Sequence, residues 1–526
     1  MPVEFLSADQ KAKYGQFCGE PNEVQLARYF HLDAADLDFI SKRRGDQNRL
    51  GFALQITSVR FLGSFLPHFE SIPNNVLLFV ARQLSIDDVT IINEYANRET
   101  TRREHTALIR QHYSYHEFND PPWAFKLSRL LFARAWVNNE RPSLMFDFAT
   151  SWLMQNKVLL PGVTTLVRLI AEIRDRATNR LWYRLATLPN QSQIDQLEAL
   201  LYVPEGSRSS LFDQFRKGPT TVSGPAFNTA IERYLNLQEL GIGTLDFSTI
   251  PPVRFKNLAR HSGVISMHKI ARMPEEKRIA MLVAFVKAFE VTALDDALDI
   301  LDLLITDIAG KAKKSGQKNR LRTLKDLDKS ALVLASVCAL ILNEETADDD
   351  LRQAIFSKIS RTQLAESIDL VNEYARPFDD KYQAEMIEQY GRVRRFLPQL
   401  LKGVSIDMAP AGETVFKAFN YLASLSSFRM KTFDQPPLDI VTNQWSRMVF
   451  DDKGRVTKQG YTLCFLDRLQ DALRRHDVYV KNSDRWGDPR AKLLQGEVWR
   501  ANRIQVCRSL GHTLDPETAI QKLSKE

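Results

Sequence analysis

Cysteine is scarce in this chain, and the four present, Cys18, Cys338, Cys464 and Cys507, lie far apart. None belongs to a Cys-x-x-Cys pair, which excludes a zinc knuckle or a thioredoxin-like redox motif. Sparse thiols fit a reducing compartment, and Cys338, inside an apolar run, reads as a small core hydrophobe. Long hydrophobic runs are missing too. The longest, residues 332–342, is interrupted only by Ser336 and falls well short of the roughly 20 residues a membrane span needs. It reads as a core helix. Met1-Pro2-Val3-Glu4-Phe5 carries no basic segment followed by an apolar stretch, so no signal peptide is read there. A cytoplasmic protein without membrane passage is expected.

The familiar catalytic motifs are absent as well. Gly310-Lys311-Ala312 lacks the hydroxyl a P-loop places on magnesium, and Gly241-Ile242-Gly243 lacks the third glycine of a dinucleotide turn. No Gly-x-Ser-x-Gly elbow occurs. His112 and His116 share a face if their segment is helical, but no His-Glu-x-x-His accompanies them. None of the nine histidines is followed three residues later by arginine, which excludes the tyrosine-recombinase pattern. Acid pairs such as Asp295-Asp296 and Asp379-Asp380 read as solvated surface carboxylates. The paired strands that a two-metal nuclease needs to present its carboxylates are not visible.

What is present is helix and arginine. A chain of 526 residues exceeds one core, so three or four domains are expected. Apolar content of 44% allows those cores to form, and 71 Lys+Arg against 64 Asp+Glu leave a modest charge of +7, which suits phosphate partners. Apolar spacing predicts three short helices at 23–30, 34–44 and 46–61, with Asp33 as a cap and Gly45 as a stop. Such a cluster is the geometry from which helix-turn-helix DNA readers are built, although many non-binding bundles share it. Further helices are predicted at 76–84, 125–136, 142–155, 164–185, 276–314 and 393–428. Residues 204–225 read as a loop or linker, and 456–465 as a segment with some β-structure. The fold class is mainly α, multidomain helical bundles with helix-turn-helix-like N-terminal modules and a little β near the C-terminus.

Four arginine clusters punctuate these helices. The first holds Lys42, Arg43, Arg44, Asn48, Arg49 and Arg60, and the second centres on Arg102 and Arg103. Arg168, Arg174, Arg176, Arg180 and Arg184 lie on one predicted helix, and Arg174 and Arg184 are not both on the face of Arg168. Arg474, Arg475 and Arg485 come last, interleaved with Tyr479 and Trp486. Forked planar guanidiniums suit phosphates and guanine edges, so double-stranded DNA is the expected partner, with no small-molecule substrate. For any one cluster, ion pairing to neighbouring acids is an equally good reading.

Several segments are more specific. Ile40-Ser41-Lys42-Arg43-Arg44-Gly45-Asp46-Gln47-Asn48-Arg49-Leu50-Gly51-Phe52, continued by Arg60-Phe61-Leu62-Gly63, resembles the N-terminal signature of replicative transposases of the Tn-three family. Leu160-Pro161-Gly162-Val163-Thr164-Thr165-Leu166, the stretch from Pro252 to Arg260, and Ala472-Leu473-Arg474-Arg475-His476-Asp477-Val478-Tyr479 resemble later segments in family order. The resemblance implies a first DNA-binding module over 1–120 and a second over 121–205. It further implies a dimerisation or linker region over 226–343 and a scaffold region over 344–526. It places Lys42, Arg43, Arg44, Asn48 and Arg49 on the first module, and Arg168, Arg174 and Arg180 on the second. It implies recognition of terminal inverted repeats in a bacterial nucleoid, with homodimerisation. The family's aspartate–aspartate–glutamate triad, with its magnesium, is expected in a domain beyond the last stretch quoted. No catalytic residue and no cofactor are therefore assigned here. A complete transposase with an unrecognised centre, or a helical interaction scaffold without nucleic acid, are the alternatives.

Overall fold

Local capping chemistry starts the helices. The side chains of Asn22, Asp33 and Asn190 each accept a hydrogen bond from the backbone N–H three residues on, and their own backbone N–H groups donate to that residue's side chain. Such reciprocal caps satisfy donors that would otherwise stay orphaned at a helix start. The computed structural model describes residues 5–342, 350–374, 382–425, 429–493 and 496–509. Among them the architecture is mainly helical, with two small two-stranded sheets. Asp379-Asp380 and the side chains of Arg320, Arg322 and Cys507 lie outside the described residues.

The chain divides into two compact units. One comprises Met1–Tyr202 and Thr244–Phe285, the other Val203–Gly243 and Val286–Glu526. In the first, the helix Asp46–Leu62 is the central element: every residue from Leu50 to Val59 is buried. Its neighbours Glu23–Tyr29, Ala34–Ser41, Asn74–Gln83 and Glu99–Tyr113 wrap it, so Phe30, Ile40, Phe52, Val76, Tyr95 and Ile109 form one core. Each such side chain contributes about 1.5–3 kcal/mol of burial. Gly45, at φ +80°, turns the chain into this helix, and Gly51 packs under the Tyr95 ring, where a Cβ would come within 2.2 Å of a ring carbon. A second core joins Leu127, Leu131, Met145, Leu153, Leu166, Ile170 and Ile173 from the helices Trp123–Val137, Pro142–Gln155 and Val163–Ala186.

In the second unit the helices Gly224–Glu239, Tyr390–Gly403, Glu413–Ser424 and Lys458–Arg475 bury Phe227, Phe396, Phe419 and Phe465. Ile406–Met408 pairs antiparallel with Val478–Val480, and Thr432–Phe433 with Val456–Thr457.

The structure corrects several expectations. The helix predicted at 276–314 runs from Glu275 to Ile341, because its glycines sit among strong helix formers that carry it through. The 332–342 run is not core: Leu332 is 68% exposed, Leu342 80%, and Cys338 is exposed. These residues lie past the last buried apolar side chain of that helix among the described residues, Ala312. The 456–465 segment is strand only at Val456–Thr457, after which Tyr461, Leu463 and Phe465 are buried in a helix. Within 204–225, Ser210 caps a helix, Leu211–Arg216, that buries Phe212 and Phe215. No helix of the described residues is long and apolar enough to cross a membrane.

His105 yields a pH test. It is buried against Phe52 and Tyr95, with a ring nitrogen 3.1 Å from the Tyr95 hydroxyl. Burial first, and then the charge of Arg43, push its pKa down to about 4 from the ordinary 6.5. Between those values the unfolded chain binds more protons than the folded one, so stability falls as pH drops through that window. Urea unfolding at pH 7 and pH 4.5 should differ by about 2 kcal/mol more in wild type than in His105→Phe. Identical pH dependence in the two would contradict this.

Candidate nucleic-acid interface

The turn between Ala34–Ser41 and Asp46–Leu62 carries the first cluster. The burial of the second helix from Leu50 to Val59 leaves its first turn, Asp46 to Arg49, at least partly open to solvent. Around that turn Lys42 pairs with Asp38 at 2.7 Å and Arg49 with Asp46 at 3.0 Å. Asn48 donates to the Arg44 carbonyl, and the Arg44 side chain is exposed. Arg43 lies over the rings of Phe39 and Phe52, with its Nε buried and unpartnered. Cation–π contact holds such a guanidinium without cancelling its charge.

Arg60 is held more firmly. Its two terminal nitrogens grip both carboxylate oxygens of buried Asp36, at 2.8 and 2.5 Å, and Tyr113 donates its hydroxyl to the same carboxylate. Burial alone would raise the Asp36 pKa, but the hydrogen bonds from Arg60 and Tyr113 and the Arg60 charge outweigh it, leaving Asp36 below its ordinary value. Bidentate geometry and burial make this an internal tie between Ala34–Ser41, Asp46–Leu62 and Glu99–Tyr113. In the second cluster Arg102 donates to the Pro67 carbonyl at 2.8 Å, and Arg103 pairs with Glu99 while 79% exposed.

On Val163–Ala186 the pattern changes. Among the described residues Arg168 is exposed without an ion pair, Arg174 is half-buried without one, and Arg180 is exposed over the rings of Phe132 and Trp136. The last cluster differs again. Arg474 pairs with Asp302 at 2.7 Å, and Arg485 reaches Asp295, Asp296 and Asp299, while Arg475 is exposed and forms no ion pair among the described residues. Asp295 is 4% exposed and accepts from the Ser483 hydroxyl at 2.5 Å. The Asp295-Asp296 pair is therefore not the solvated surface expected, because Arg485 and Arg233 supply its countercharge.

The two histidines expected to share a face do not. His112 ends its helix stacked on Phe39, and His116 lies beyond the helix, its ring 4.9 Å from that of Trp123. Among the described residues no group of three or more His, Cys, Asp or Glu could hold a metal ion. Sequence alone does not mark Arg254, 8% exposed on the helix Pro252–Val264, as a site residue. Its only sequence signal is a helical stretch carrying a cation on its apolar face.

Residues 5–173 match a family described as Domain of unknown function (DUF4158). Over nearly all of its length the chain is similar to transposases. It is 57% identical over 524 residues to the transposase for transposon gamma-delta of Escherichia coli K12, covering 100% of this chain and 52% of that protein. It is 24% identical over 504 residues to the transposase for transposon Tn1546 of Enterococcus faecium, covering 95% and 50%. The transposase for transposon Tn501 of Pseudomonas aeruginosa is 26% identical over 481 residues, covering 91% and 48%. The chain thus spans about half the length of the curated relatives it matches.

The contrast between tied and surface cations predicts unequal costs. Arg60→Ala should lower stability by about 3–5 kcal/mol, because it strands a buried carboxylate. Arg103→Ala should cost less than about 1 kcal/mol, as exposed pairs do. Urea midpoints measure both, and equal losses would refute the distinction.

Proposed function

We propose that the chain binds the terminal inverted-repeat DNA of a transposon in a sequence-specific manner, as the end-recognising part of a transposase. The observation that carries this reading is the 57% identity to the gamma-delta transposase across the whole chain. The geometry supports it. Arg43, Arg44, Arg168, Arg174 and Arg180 carry no ion pair among the described residues, while Arg60, Arg474 and Arg485 are tied to carboxylates. Unpaired guanidiniums are free to replace the counterions of a phosphate backbone.

In this reading the two N-terminal modules, 1–120 and 121–205, take the duplex, and regions 226–343 and 344–526 serve dimerisation and scaffolding. The chain spans about half the length of these relatives, and its site of action is bacterial DNA. Magnesium-dependent strand transfer is assigned to no residue described.

The test is fluorescence anisotropy with a duplex carrying the inverted repeats that flank the coding region, against a shuffled duplex. Binding at a Kd of about 10 nM or tighter, at least roughly a thousandfold over the shuffled duplex, is expected at physiological salt. Affinity should fall steeply as salt rises, and the Arg43→Ala/Arg44→Ala/Arg49→Ala variant should bind more weakly by at least about tenfold. Equal affinity for both duplexes would leave a helical scaffold, or non-specific binding, as the better reading.

A further inference from the structure

Two arginines are equally buried in this protein, and they are treated differently. Arg233, 8% exposed, donates to Asp296 at 2.7 Å and to the Lys217 carbonyl. Arg254, also 8% exposed, donates to Asn139 Oδ1 at 3.2 Å and to Thr178 Oγ1 at 2.9 Å. Both of its acceptors are neutral, its Nε is buried without a partner, and no carboxylate pairs with it among the described residues. A buried cation held only by neutral oxygens is costly, because desolvation is not offset by an opposite charge.

A second cation makes the deficit larger. Thr178 donates its hydroxyl to the Arg174 carbonyl, one turn earlier on Val163–Ala186. Residues four apart share a helix face, so Arg174 stands beside the hydroxyl that Arg254 grips. Burial first and the Arg174 charge second both press the Arg254 pKa downward. Arg174 is half-buried and forms no ion pair among the described residues. Asn139 and Thr178 thus hold the Arg254 guanidinium within reach of the Arg174 charge, and neither arginine has a carboxylate partner among the described residues. Forked guanidiniums in pairs match the tetrahedral oxygens of a phosphate, which supplies the missing charge to both.

We infer that Arg254 and Arg174, positioned by Asn139 and Thr178, form a phosphate subsite where the helices Val163–Ala186 and Pro252–Val264 meet. Its occupant is one backbone phosphate of bound duplex. The duplex as source rests on the proposed DNA-binding function, whereas phosphate chemistry at the site does not. The subsite ties Pro252–Val264 to DNA binding, although that helix lies outside the two modules assigned to recognition. An occupied subsite also relieves the repulsion between the two guanidiniums, so binding stabilises their packing.

The experiment uses the full chain as wild type, Arg174→Gln, Arg254→Lys and the double variant. Its readouts are the melting temperature in inorganic phosphate against chloride at equal ionic strength, and the salt dependence of duplex affinity. Wild type should melt higher in phosphate, and each variant should lose that increment. Each single variant should also lower the slope of log K against log salt by about 0.9, one phosphate contact. The double variant should lower it by about 0.9 and not by twice that, because both arginines serve one phosphate. Loss of the phosphate increment in a chain that binds no duplex would uphold the subsite and refute the DNA reading. A wild-type slope in all variants, with the phosphate response unchanged, would overturn the subsite and leave DNA recognition standing. Additive slope losses would mean two separate contacts, and would overturn the shared site. Arg174→Gln removes a half-buried side chain without an ion pair, so misfolding of the Arg254 variant would not decide the outcome.

Discussion

A charge taken out of water must find an opposite charge or enough hydrogen bonds, and this constraint organises both units. In the first unit the buried Asp36 carboxylate draws Arg60 and Tyr113 to it, which fixes three helices around one point. In the second, Asp295 collects Ser483 and Arg485, and Asp296 collects Arg233, so the helix Glu275–Ile341 is tied to elements distant in sequence. Apolar burial supplies most of the stability of these cores. The ion pairs add fixed points of contact between helices that already pack.

The same constraint sorts the arginines. A guanidinium spent on a carboxylate inside a unit is neutralised before any ligand arrives. One that lies over aromatic rings, or in solvent, keeps its charge for a polyanion. The N-terminal cluster and Val163–Ala186 hold most of the second kind among the candidates, and Arg474 and Arg485 belong to the first. A basic cluster seen in sequence therefore divides, once folded, into ties and ligands. That division is what gives the transposon-end reading its geometry.

Much of the fold is legible in the residues. Helical spacing and caps such as Asp33 place the first helices within a few residues of where they lie, because those signals act over one turn. Three things escape. The exposure of 332–342 depends on where the partner helices stop, and apolar spacing is silent on that. The burial of Asp295 depends on Ser483 and Arg485, nearly 190 residues away. The character of each arginine is equally non-local: Arg60 and Arg49 look alike in sequence, yet one grips a buried acid and the other an exposed one. Arg254 passes unremarked for the same reason, since its lack of a carboxylate is visible only when its surroundings are.

The central claim is that unpaired arginines meet DNA while paired ones hold the protein together. The most direct test compares Arg168→Gln/Arg174→Gln/Arg180→Gln with Arg103→Gln/Arg110→Gln/Arg134→Gln, whose arginines pair with Glu99, Glu117 and Glu140. Salt dependence of duplex affinity is measured for both. The account predicts that the first set lowers the slope by about 2 to 3, and that the second leaves it near the wild-type value. Equal changes in the two sets, or a change in the second alone, would contradict it.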